Sequence, residues 1–174
     1  MRVLTNVLLI VSTTLLLQVS LLAQGQTATV KAIDPHGTYR LSNDFSGPDK
    51  FLTISENGVD LNMVDATRSP KQLWIFSPSD KGQFRLVSLS NEESAIDVHK
   101  RGDVYSVVVA ELGEYSGQDW RFVTEKDGKL RFMNAFAGEK RSLDVYKNGD
   151  VYSVVVATSG DYSGQAWTLT KVDQ

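Results

Sequence analysis

The chain has 174 residues, no cysteine, two histidines, and 18 Lys and Arg against 21 Asp and Glu, for a formal net charge of −3. That length suits one domain and is short for two. The missing cysteine excludes thiol catalysis, thiolate metal sites and disulfides. The mildly acidic balance argues against nucleic acid and anionic lipid, which call for clustered Lys and Arg.

In chain order, residues 1–25 read as a signal peptide. Arg2 supplies the positive start, and the apolar run is densest at Val7–Val11 and Leu15–Leu17. Leu22-Ala23-Gln24-Gly25-Gln26 offers cleavage after Ala23 or Gly25. A spanning helix needs about 20 predominantly apolar residues. Polar residues such as Thr5, Asn6, Ser12 and Gln18 interrupt this run, which favours a cleaved signal over an anchor. No second such run follows, so the expectation is an exported protein without membrane insertion after signal removal. It would be secreted, or periplasmic in a Gram-negative bacterium. Residues 26–36 read as an N-terminal lead.

From residue 37 the chain reads as three copies of a repeat of about 46 residues, at 37–81, 82–127 and 128–174. Gly102–Ala110 and Gly149–Ala157 are identical, and Tyr115–Gln118 recurs at Tyr162–Gln165, at an offset of 47 residues. The first copy is more diverged. Each copy opens on a glycine and a short apolar-alternating run, at Gly37, Gly82 and Gly128. Each closes on Gln-x-Trp, at Gln72 and Trp74, Gln118 and Trp120, and Gln165 and Trp167, which uses every tryptophan in the chain.

Within the third copy, alternation and turn residues predict strands over 129–134, 142–147, 151–157 and 166–171. Asn148-Gly149 signals a tight hairpin. Four strands in three copies make twelve. Three blades would be a small propeller, since about 4–8 are usual. Closure with pseudo-threefold symmetry, which removes exposed edges, is the economical arrangement. The predicted fold is therefore an all-β, twelve-stranded β-trefoil over residues 37–174.

The triple Gln-x-Trp, following Ile96-Asp97-Val98 and Leu143-Asp144-Val145, resembles the ricin-B-type lectin β-trefoil over essentially the whole chain after the leader. The resemblance implies that Trp74, Trp120 and Trp167 pack in the core, as their large apolar area also suggests. It implies a shallow sugar pocket in each repeat. An aspartate there accepts hydrogen bonds from sugar hydroxyls, a stacked aromatic ring covers the C–H face, and amide side chains complete the set. Asp97, Gln118, Asp144 and Gln165 match that pattern. The first repeat has Thr53 in place of the acid and is expected to have lost its site. The family's stacking aromatic is replaced by Val107-Val108-Val109 and Val154-Val155-Val156. Gly117 and Gly164 stand where the family usually has Asn. Substitute ligand contacts are Tyr115 and Tyr162, Tyr105 and Tyr152, and His99 and Tyr146, which lie two residues past the aspartates on the same strand face.

No P-loop, dinucleotide fingerprint, zinc-ligand pattern or nucleophile elbow is present. No catalytic residue, cofactor or metal is expected. Asp103 and Asp150 read as turn residues, and His36 as a solvated loop residue. The leading reading is a lectin-like module that binds glycans at the second and third repeats, through Asp97, His99, Tyr115, Gln118, Asp144, Tyr146, Tyr162 and Gln165. Two others stay open: a degenerate trefoil acting through protein contacts, and a β-trefoil protease inhibitor using a loop at 42–50 or 66–71. The motifs name no particular sugar and no oligomeric state.

Overall fold

A computed structural model describes residues 33–172. The predicted signal peptide and most of the lead lie outside the described residues. Twelve strands form in chain order: β1 (Thr38–Asn43), β2 (Gly47–Ile54), β3 (Leu61–Asp65), β4 (Trp74–Pro78), β5 (Phe84–Ser88), β6 (Asn91–Arg101), β7 (Val104–Glu111), β8 (Trp120–Thr124), β9 (Leu130–Asn134), β10 (Arg141–Asn148), β11 (Val151–Thr158) and β12 (Trp167–Val172). One 3₁₀ turn precedes the last strand of each repeat, at Pro70–Gln72, Ser116–Gln118 and Ser163–Gln165.

The first and last strands of each repeat close a six-stranded barrel. Its pairings run β1–β4, β4–β5, β5–β8, β8–β9, β9–β12 and β12–β1, all antiparallel. The middle strands pair as hairpins, β2–β3, β6–β7 and β10–β11. The hairpins form a cap, in which β11 meets β3 at Ser153 and Asn62. This is the β-trefoil that the repeats predict.

Each tryptophan is fully buried and fixes a hairpin onto the barrel. The indole N–H groups of Trp74, Trp120 and Trp167 donate to the carbonyls of Leu52, Ile96 and Leu143, each at 3.1 Å. Burial removes a large apolar area from water, and the single polar atom of each ring keeps a partner. Leu41, Phe76, Leu86 and Phe132 complete the core around them.

The second and third hairpins turn on Gly102-Asp103 and Gly149-Asp150, between the paired residues Arg101 and Val104, and Asn148 and Val151. The tight turn thus sits one residue later than Asn148-Gly149. Gly102 and Gly149 alone take positive φ there, 60° and 59°, as a two-residue turn with glycine first requires. The first hairpin is shorter. Leu52 pairs with Met63, eleven positions on, whereas Ile96 and Leu143 pair thirteen positions on, with Val109 and Val156.

Candidate functional site

The motif glutamines build the same brace in every repeat. Gln118 accepts from the Gly113 N–H at 3.0 Å and donates to the Glu111 carbonyl at 2.7 Å and to Asp97 Oδ2 at 3.2 Å. Gln165 accepts from the Gly160 N–H at 3.0 Å and donates to the Thr158 carbonyl at 2.8 Å and Asp144 Oδ2 at 2.9 Å. Gln72 accepts from Thr67 N–H and donates to the Asp65 carbonyl and to Thr53 Oγ1. All three side chains are buried, and both amide hydrogens of each are used. Gln118 and Gln165 therefore hold the loop and the carboxylate from beneath, without reaching the surface.

The residue before each glutamine is set by the acid it covers. A Cβ on Gly117 would fall 2.0 Å from Asp97 Oδ1 and 2.6 Å from the Val98 carbonyl. A Cβ on Gly164 would fall 2.1 Å from Asp144 Oδ1. Only glycine lets the 3₁₀ turn settle on the aspartate. In the first repeat the shorter Thr53 replaces the acid, and Lys71 occupies the glycine position. The cover leaves Asp97 only 5% exposed, while Asp144 is half-buried.

The aromatic candidates divide into two groups. Tyr115 and Tyr162 are 60% and 62% exposed. Each ring lies on the glycine two residues before it, since a Cβ on Gly113 or Gly160 would fall 2.4 or 2.3 Å from the ring. Those glycines also donate to the brace glutamines, so each ring stands on the same loop that frames the carboxylate. His99 is exposed, with Nε2 3.4 Å from Asp97 Oδ2, and Tyr146 is exposed at the matching place. Tyr105 and Tyr152 lie elsewhere, packed edge-on against Phe136 and Phe45 with centroids 6.2 and 5.9 Å apart. Val108 and Val155 pair across the hairpins with Asp97 and Asp144, so aliphatic side chains flank the acids.

The loops proposed for a protease inhibitor differ from the sequence expectation. Most of 42–50 belongs to β1 and β2, which leaves only a three-residue turn. The 66–69 loop matches the length of 112–115 and 159–162. It is tied down by Gln72 and by Arg40, whose guanidinium donates to the Thr67 carbonyl at 2.6 Å. Neither segment is longer than its longest counterpart among the described residues, whereas the β2–β3 loop at 55–60 has six residues against two in each of the other hairpins. His36 is exposed, and its N–H donates to Asp34.

The β-trefoil fold is shared with solved proteins of low sequence identity, ricin B-like lectins among them. A designed threefold-symmetric protein, ThreeFoil, is 23% identical, with 78% of this chain and 99% of that one covered at a TM-score of 0.69. The Macrolepiota procera ricin B-like lectin, solved with lactose, is 17% identical, with 79% and 97% covered at 0.66. The Polyporus squamosus lectin, bound to a Neu5Acα2-6Galβ1-4GlcNAc epitope, is 18% identical, with 80% of this chain and 50% of that chain covered at 0.66. No protein-family model and no curated sequence matches.

Proposed function

We propose that the chain is an exported, non-enzymatic, lectin-like module that binds glycans at the second and third repeats. The observation that carries this reading is the pairing of features. In both of these repeats an exposed tyrosine stands on a glycine of the loop that the motif glutamine ties to a braced aspartate. In the first repeat both are gone together, with Ser69 and Thr53 in their places. A neutral sugar needs such a mixture, a flat apolar ring for its C–H face and directional acceptors for its hydroxyls.

In this reading Tyr115 and Tyr162 stack on the sugar. Asp144, the more exposed of the two acids, and Asp97 accept from sugar hydroxyls, and His99 and Tyr146 lie beside them. Gln118 and Gln165 hold the aspartates in place. No cofactor or metal is required. The lectins of the same fold support the reading, since their structures contain lactose and a sialylated trisaccharide. Each shallow site buries little area, so affinity on a glycan surface comes from two sites on one rigid body.

A glycan array probed with the protein and with Tyr115→Ala/Tyr162→Ala tests the proposal. Both rings are exposed, so their loss leaves the fold intact. Binding by the parent that vanishes in the variant is expected. Equal binding by both proteins, or no binding to any glycan, would contradict it.

A further inference from the structure

Neighbouring repeats meet at three junctions built from equivalent positions. The turns after β1, β5 and β9 share one hydrogen bond. Phe45 N–H donates to Asn43 Oδ1 at 3.0 Å, Ser90 N–H to Ser88 Oγ at 3.1 Å, and Phe136 N–H to Asn134 Oδ1 at 3.0 Å. Phe45, Ser90 and Phe136 therefore occupy one pseudo-symmetric place. Opposite stands the hairpin of the preceding repeat. Counting back equally from Met63, Val109 and Val156 brings Val59, Tyr105 and Tyr152 into correspondence. Two positions before Leu52, Ile96 and Leu143 stand Lys50, Ser94 and Arg141.

Two of the three junctions are filled. Between the second and third repeats, Phe136 packs on Tyr105, and the Arg141 guanidinium lies 4.6 Å from the Tyr105 ring centroid. Between the third and first, Phe45 packs on Tyr152, and Lys50 pairs across the hairpin with Asp65. The hydrogen bond to Asp65, and in lesser part the nearby Tyr152, hold the Lys50 ammonium pKa above its ordinary value.

Between the first and second repeats all three parts are missing. Ser90 replaces the phenylalanine, Val59 the tyrosine and Ser94 the cation. A groove of about 420 Å³ lies there, over an apolar floor of Ile54, Val109 and Ala110. Ligand pockets usually measure about 300–1,000 Å³. Glu93, Glu111 and one cation, Lys71, also line it. Glu111 stands across from Ser94, as Asp65 stands across from Lys50, but without a cation. Among the described residues neither glutamate has an ion pair, and the Lys71 ammonium is turned to Glu56 at 3.2 Å.

We propose that this groove docks a partner protein segment presenting an aromatic side chain beside Lys or Arg. The ring takes the space that Phe45 and Phe136 fill at the other junctions, and the cation meets Glu111 and Glu93. Aromatic and Arg side chains are the usual anchors of such contacts, and the Tyr105 junction shows a ring and a cation packed together on this scaffold. The groove shares no side chain with the proposed glycan contacts.

The probe is N-acetyl-Tyr-Arg-amide, titrated into the ¹⁵N-labelled protein, with lactose titrated in parallel. Saturable amide shifts are expected at Asn91, Val109, Ala110 and Glu111 with the peptide. Glu111→Gln, at an exposed position, should weaken binding about fivefold, the effect of one partly screened ion pair. Val59→Tyr/Ser90→Phe, which rebuilds the sister pair, should abolish it. Shifts at the groove with lactose alone would overturn the proposal in favour of a glycan. It would likewise be overturned by no groove shifts with the peptide, or by shifts unchanged in Glu111→Gln. The glycan reading stands or falls on Tyr115 and Tyr162, so the two failures are told apart by which amides move.

Discussion

At the scale of single residues, the candidate site depends on a fit between each aspartate and the glycine that covers it. Gly117→Ala should destabilise the protein by about 1–3 kcal/mol, the usual cost of overpacking. The new Cβ would fall 2.0 Å from the Asp97 oxygen and 2.6 Å from the Val98 carbonyl, while Gly117 itself has ordinary backbone angles. Adding Asp97→Thr imports the first-repeat solution, in which Thr53 still accepts from the glutamine. The double variant should therefore lose less than the sum of the singles, with a coupling of about 0.5–3 kcal/mol in a double-mutant cycle by denaturant unfolding. Additive losses would mean that the glycine answers only to the Val98 carbonyl. Trp120→Ala should cost about 3–5 kcal/mol, measured the same way, because it opens a cavity and orphans the Ile96 carbonyl. The repetition of the aspartates, glutamines and tyrosines was legible in the sequence. The depth of Asp97 and the saturation of Gln118 were not. Both arise from the Ser116–Gln118 turn folding back onto β6, a contact that residue spacing does not encode.

At the scale of elements, the hairpins and the strap from the lead to the last strand make separate claims. Gly149 sits at φ 59° with nothing within 4 Å of a Cβ position. Gly149→Ala should therefore cost about 1–2 kcal/mol through backbone conformation alone, visible as a lower thermal midpoint without change in the core spectrum. Asp34 ties the lead to β12 through Lys171 at 2.9 Å. That hydrogen bond, then the His36 N–H, hold the Asp34 carboxyl below the ordinary carboxylate range. A depressed folded pKa gives a contribution that is complete above the unfolded value and lost as pH falls through the folded one. The lead should thus loosen from β12 only in acid below about pH 4, and Asp34→Asn should remove that dependence in an NMR titration. Strand positions were legible to within about two residues, as turn glycines and alternation allow. The barrel pairings between strands far apart in sequence followed only from closing the pseudo-symmetric ring.

At the scale of the whole molecule, the repeats share one frame and have diverged in what they expose. The second and third keep an acid, its covering glycine and a tyrosine shelf. The first has given up all three, and its shorter hairpin faces the one junction without an aromatic plug. The threefold frame could be read directly, because Gln-x-Trp recurs in phase with the opening glycines. The unequal junctions could not, because Phe45, Ser90 and Phe136 become comparable only once the turns superpose. The two proposed sites, each with one tyrosine, give the account its most direct test. Calorimetric titration with the best array glycan should find two sites in the protein, one in Tyr115→Ala and none in Tyr115→Ala/Tyr162→Ala. Unchanged stoichiometry in the double variant would place the glycan elsewhere on the trefoil and contradict the assignment.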